Sequence, residues 1–252
     1  MVEGEEYTYG FISDLHAGSV YFDYPSFKRM IEKIKDMNVK SRHLYILGDL
    51  IEGKFNHRGQ LYESFPLEYQ LAILRSIIER LTLTLGARFL YILPGNHDRK
   101  YGLNLLDTFV LKNQGDFEKM GIEVKYLRDR DFYVNGQVLT VHGLSVSGGS
   151  DYTSVTPLVL NNLVGLVRLY GYYNIKYIVT GHYHRYADVY YQGFRVIVLP
   201  SFQYSSRPLR ECRGMVFLNG DGRTLPILVQ PSKREEILEY WEERIRKTIA
   251  PE

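Results

Sequence analysis

Short apolar runs alternate with amphipathic stretches along the first half of the chain. Residues 7–12 (Tyr-Thr-Tyr-Gly-Phe-Ile), His43 to Leu47 and Arg88 to Leu93 read as strands. Between the first two, residues 25–37 carry Phe27, Met30, Ile31 and Ile34 at helical spacing. Between the second and third, Pro66 opens a long helix to about Leu83, with Leu67, Leu71, Leu74, Ile77, Ile78 and Leu81 as its apolar stripe. A further helix is expected from about Leu103 to Lys112. The β–α–β–α–β order predicts parallel strands with helices on both faces of their sheet. Ligands of such sheets gather beyond the carboxyl ends of the strands.

The second half is richer in strands: Ile122–Leu127, Phe132–Val134, Gln137–Val141, Ile175–Thr180, Tyr186–Tyr191, Phe194–Leu199, Gly214–Leu218 and Thr224–Val229. Asn135-Gly136 is a hairpin turn. Pro157–Tyr170 reads as an amphipathic helix. Ser232–Lys247 reads as a charged helix, glutamate early and arginine and lysine late, which suits its macrodipole. Its Ile237, Leu238, Trp241 and Ile245 share one face, open to a partner but better suited to folding back on the chain's own core. No repeat, linker or composition break divides residues 1–252, so a single α/β domain with a C-terminal helix is expected.

Composition narrows the class. The chain is 45% hydrophobic and 24% charged, and its net charge of +2 gives no strong overall pull toward nucleic acid. No run approaches the roughly 18 apolar residues that span a bilayer. The acidic start, Met1 to Glu6, lacks the pattern of a signal peptide. The single cysteine, Cys212, excludes an intramolecular disulfide and a thiolate-rich zinc site. A soluble, cytoplasmic protein without membrane partners is the expectation. The 22 tyrosines suit cores, interfaces and base-stacking surfaces alike.

The chemistry lies where the strands end. Five of the seven histidines fall in four short motifs: Asp14-Leu15-His16, Gly95-Asn96-His97-Asp98, Val141-His142-Gly143 and Gly181-His182-Tyr183-His184. Gly48-Asp49 adds a fifth piece. Each is weak alone. Asp14 has a second reading as a capping residue beside a surface histidine, Gly48-Asp49 as an ordinary turn, and Asn96 as the cap of the helix after it. Together they offer about seven oxygen and imidazole ligands. That suffices for two ions of manganese, iron, zinc, cobalt or nickel type, manganese foremost, and points to hydrolysis of a phosphate ester.

In this order, over residues 8–184, the motifs resemble the calcineurin-like metallophosphoesterase superfamily. The resemblance implies a two-layered β-sandwich flanked by helices. It implies that Asp14, His16 and His184 hold one divalent metal ion, that Asn96, His142 and His182 hold a second, and that Asp49 bridges them. A hydroxide shared by the ions would attack phosphorus. His97 would protonate the leaving oxygen, with Asp98 orienting its ring and favouring the charged form. Two dications bring four positive charges, of which Asp14 and Asp49 cancel two and the hydroxide a third, leaving a surplus for an anionic substrate.

Residues around the motifs extend this picture. Glu52 reads either as support for a ligand or as a solvated loop residue. Gly53 stands where protein Ser/Thr phosphatases of the superfamily carry arginine, which counts against phosphoprotein substrates. His57 and Arg58 either touch the substrate phosphate or lie in a solvated loop. Gly148 to Tyr152 would shape specificity. His43 reads as structural. The tyrosines at 183, 186, 190, 191 and 204 are expected to pack rather than stack on bases. Phosphodiesters, in nucleic acid or nucleotides, are the favoured substrates. The alternatives are phosphomonoesters or phosphoproteins, a non-catalytic scaffold, and a nuclease subunit that needs a partner.

Overall fold

The computed structural model describes residues 6–53, 64–99, 104–127, 132–142, 156–204 and 212–249. His57, Arg58 and the Gly148–Tyr152 stretch lie outside them. Strands β1 (Glu6–Ile12), β2 (Lys40–Leu47), β3 (Phe89–Leu93) and β4 (Glu123–Tyr126) pair in parallel. Strands β10 (Arg213–Leu218) and β11 (Thr224–Val229) extend this sheet antiparallel beyond β1, giving the order β11-β10-β1-β2-β3-β4. A second sheet has the order β5-β6-β7-β9-β8, from β5 (Phe132–Asn135), β6 (Val138–Val141), β7 (Tyr177–Thr180), β8 (Ala187–Tyr191) and β9 (Phe194–Val198).

Period-two alternation decides how the layers stack. On one face of the first sheet, Ile12, Leu44, Ile46, Leu90 and Ile92 meet α1 (Tyr24–Asp36), α2 (Leu67–Leu85), α4 (Asn104–Lys119) and α6 (Arg234–Ile249), while the short α3 (Asn96–Arg99) follows β3. On the other face, Phe11, Tyr45, Leu47, Tyr91 and Leu93 pack on Val138, Val179, Ile197 and Leu199 of the second sheet and its exit. The outer face of that sheet is covered by Leu160, Leu163, Val164 and Val167 of α5 (Pro157–Leu169). The expectation of helices on both faces of the parallel sheet is therefore corrected. Its second face is covered by another sheet, which makes the α/β fold a sandwich with helices only on the outside. Tyr45 and Tyr91, stacked 4.3 Å apart, fill the seam.

Several boundaries move. The helix expected to stop at Lys112 runs on to Lys119, because Gly115 sits on an open helix surface and breaks nothing. Pro66 is the residue before α2 rather than its first, and the helix ends on left-handed Gly86. The last helix does fold back: Ile237 and Trp241 are buried, and the indole Nε1 donates to the Phe22 carbonyl at 3.1 Å. His43 stacks on Phe89 within β2 and β3, as a structural residue would. Tyr183, Tyr186, Tyr191 and Tyr204 pack against the cores, whereas Tyr190 is exposed beneath Arg195. Among the described residues no helix is long and apolar enough to cross a membrane.

Candidate metal centre

Parallel strands β1, β2, β3, β6 and β7 end on the same side of the sandwich, and every motif follows one of them, in a turn or, for Asn96, His97 and Asp98, in the single helical turn after β3. Asp14, His16, Asp49, His182 and His184 all have left-handed backbone, φ between 47° and 78°. Such φ values are uncommon in residues other than glycine and cluster at functional sites. Here they fold each chain back over its strand end, so that neighbouring turns interlock. Asp14 N–H donates to the Gly48 carbonyl and His16 N–H to the Asp49 carbonyl.

The motif glycines make that interlocking possible. A Cβ on Gly181 would collide with Ser13 Oγ and stand 2.7 Å from Asp14 Oδ2. One on Gly95 would strike Asp49 and come within 2.8 Å of His142 Nε2. Only a residue without a side chain lets these turns approach so closely.

Three groups of ligand atoms result among the described residues, one of them His16, Glu52 and His97 and the other two sharing Asp49. Asp14, His16, Asp49 and His184 each offer an atom within 4.8 Å of the others, and so do Asp49, His142 and His182. Asp49 belongs to both. His184 Nε2 lies 3.3 Å from both Asp14 Oδ1 and His16 Nε2, and His142 Nε2 lies 3.3 Å from Asp49 Oδ2. Asp14, His16, Asp49 and His142 are buried; Asn96, His182 and His184 are half-buried. Asn96 Oδ1, His142 Nε2 and His182 Nδ1 are buried atoms without a hydrogen-bond partner. Unpaired polar atoms are costly inside a protein. These three come from the residues expected to hold the second ion, so an oxygen and two nitrogens without thiolate fit a divalent cation there.

Supporting contacts fix the ligands. Asp14 accepts from Ser13 Oγ at 2.6 Å and from His182 N–H at 2.8 Å, and Asp49 accepts from His97 N–H at 2.8 Å. His142 Nδ1 lies 2.6 Å from the Leu47 carbonyl, which fixes the donor on Nδ1 and leaves Nε2 for an ion. Glu52 is buried, not solvated. Its Oε2 stands 3.0 Å from His16 Nδ1, near enough for charge pairing though off the axis of a hydrogen bond.

Without ions these charges act on one another. Burial opposes charge on His16, but Glu52 and then Asp49 and Asp14 lift its pKa to about 9. Burial likewise opposes charge on His142, and Asp49 and Asp14 lift it to about 9. Burial pushes the Asp14 carboxyl up, yet His142 and His184 bring it down to about 2.

His97 and Asp98 differ from expectation. The His97 ring Nδ1 pairs with the Glu52 carbonyl at 2.7 Å. Asp98 accepts instead from the backbone N–H groups of Leu50, Ile51 and Gly95, tying the β2 and β3 turns together. Burial and then neighbouring His16 lower the His97 pKa to about 4, so the ion-free ring is neutral rather than charged. Burial and Asp49 raise Asp98 to about 6.

Sequence reasoning did not find Ser13, Ser201 or Gln203, which support the site. Only the adjacency of Ser13 to Asp14 offered a signal.

The sequence model of the calcineurin-like phosphoesterases matches residues 7–186. No curated protein sequence matches. Among solved structures, a hypothetical protein from Pyrococcus horikoshii is similar over 98% of this chain and 95% of its own, at 15% identity and TM-score 0.55. An archaeal phosphodiesterase is similar over 88% and 99%, at 15% identity and TM-score 0.49. Vps29 from Entamoeba histolytica, complexed with zinc, is similar over 88% and 97%, at 14% identity and TM-score 0.45.

Proposed function

The chain belongs to the calcineurin-like phosphoesterase family, and from that premise we propose that it hydrolyses phosphodiesters, of nucleic acid or nucleotide type, with the help of two divalent ions. Asp14, His16 and His184 would hold one ion, Asn96, His142 and His182 the other, and Asp49 both. The observation that carries this reading is three buried atoms without a hydrogen bond, Asn96 Oδ1, His142 Nε2 and His182 Nδ1, beside a carboxylate shared with a second ligand group. When bound, the ions supply Lewis-acid charge for the phosphoryl oxygens and lower the pKa of the attacking water.

The chain's own residues do the rest. His97 is the acid for the leaving oxygen. Nδ1 donates its proton to the Glu52 carbonyl, so Nε2 is bare in the neutral ring and is the nitrogen that gains the transferable proton when the ring becomes charged. The ring starts neutral, and an anionic phosphate beside it raises its pKa toward the working range. Asp98 serves by fixing the turn on which His97 sits. The burial of Asp14, His16 and Asp49 excludes bulk water from the ligand cluster and strengthens its field.

The preference for diesters rests on position 53. Gly53 is buried at φ 87°, and the Gln70 side chain donates to its carbonyl and accepts from its N–H. The arginine of the protein phosphatases has no place there. No cation from this position meets the second charge of a terminal phosphate. Rates on bis(p-nitrophenyl) phosphate and p-nitrophenyl phosphate, measured with manganese, test the reading. Diester cleavage is expected to be faster. Faster monoester cleavage overturns the preference, and bound ions without hydrolysis of either ester overturn catalysis in favour of a scaffold.

A further inference from the structure

The family match ends at residue 186, but a later segment reaches back into the metal centre. After β9 the chain passes through Ser201, Phe202 and Gln203 along the β1–α1 connection. Ser201 Oγ and Phe202 N–H both donate to the Asp14 carbonyl at 3.0 Å, Gln203 N–H donates to Ser201 Oγ at 2.9 Å, and Gln203 pairs with Phe22 in a short antiparallel bridge. This fixes the backbone of Gln203. Its Nε2 then donates to Glu52 Oε2 at 2.8 Å, and that same oxygen faces His16 Nδ1 at 3.0 Å.

The chemistry of this chain of contacts is specific. A carboxylate only accepts, so the amide must present its NH2 group to Glu52. An amide donor restrains the carboxylate without neutralising it. Lysine or arginine in its place would compete with His16 for the Glu52 charge. The restrained carboxylate holds the His16 ring and raises its basicity, which is how such outer partners strengthen a metal ligand.

We infer that Gln203 is a positioning residue for the ion held by His16, acting through Glu52. The inference rests on the two-ion reading above. Manganese titrated into the ion-free protein, followed by calorimetry or by competition with a chelator, tests it. Wild type is expected to take up two ions. Gln203→Met, of similar length but without the donor, is expected to weaken one of them by about tenfold, leaving the other and the thermal midpoint of the ion-free protein in place. Glu52→Gln is expected to weaken the same ion by about 10- to 100-fold. Adding Gln203→Met to Glu52→Gln is expected to cost nothing more. Full affinity in Gln203→Met, or a loss that persists undiminished in the Glu52→Gln background, overturns the inference while leaving the two-ion reading intact. Uptake of fewer than two ions by wild type overturns both. If the methionine variant does not fold, Gln203→Asn keeps the amide but falls one methylene short of Glu52. The same single-ion loss is expected of it, and full affinity is again fatal.

Discussion

Asp49 carries the greatest burden of any single side chain. It is shared by the two ligand groups assigned to the ions, and burial resists its charge while His142, His97 and His16 hold its pKa well below the ordinary carboxylate range. Asp49→Asn keeps the shape and removes the charge. Uptake of both ions is expected to weaken, and turnover to fall by more than about 100-fold; an ion titration beside a rate assay checks this. The His97 ring lies beside His16 and Glu52, outside the two ligand groups that share Asp49, and meets Asp49 only through its backbone N–H. His97→Gln is expected to bind ions normally and to lose about 10²–10⁴ in rate on substrates with poor leaving groups. The loss should shrink when the leaving group needs no proton, and an equal loss across leaving groups contradicts the acid role.

At the scale of elements, the turns matter more than the strands. Gly181→Ala places a Cβ against Ser13 Oγ, with the Leu47 carbonyl 2.8 Å away. Part of that environment is backbone and has little room to shift. A destabilisation of about 1–3 kcal/mol is expected, read as a lower denaturant midpoint at constant slope, together with weaker ion uptake. The strands themselves were legible in the sequence because their two faces differ. Aliphatic residues at 44, 46, 90 and 92 alternate with aromatic or leucine residues at 45, 47, 91 and 93. What covers the aromatic face was not legible in that alternation, since a helix and a second sheet satisfy it equally; only the family resemblance pointed to a sandwich. The ligand motifs were legible because Asp, Asn and His, the side chains that hold such ions, recur directly after the strand runs. Gln203 was not. It lies about 150 residues from Glu52 in the chain, in a segment with no motif, and only the fold brings the two together.

The whole molecule should respond to pH and to ions as one linked system. His16 and His142 titrate in the ion-free protein near 9, above the value of about 6.5 expected in an unfolded chain. A pKa raised by folding gives stability that is complete below the unfolded value and is lost as pH rises through the folded one. The ion-free protein is therefore expected to lose thermal stability between about pH 6.5 and 9. Ligation requires neutral imidazole, so ion affinity should climb over the same interval, with about two protons released per chain near neutrality. Calorimetry in buffers of different ionisation enthalpy counts those protons; none released would contradict the ligand assignment. The ligands also divide between the layers. Asp14, His16, Asp49 and Asn96 follow strands of the first sheet, whereas His142, His182 and His184 follow strands of the second. Each ion would consequently rivet one sheet to the other at a single end of the sandwich. Between the strands themselves, Asn135 on Tyr45 and Tyr133 against Tyr91 add their own grip. A chelated molecule should gape from the riveted end, with the amides of β6 and β7 exchanging sooner than those of β2. A descendant that lost His97, and catalysis with it, would still keep its ions to hold the halves shut.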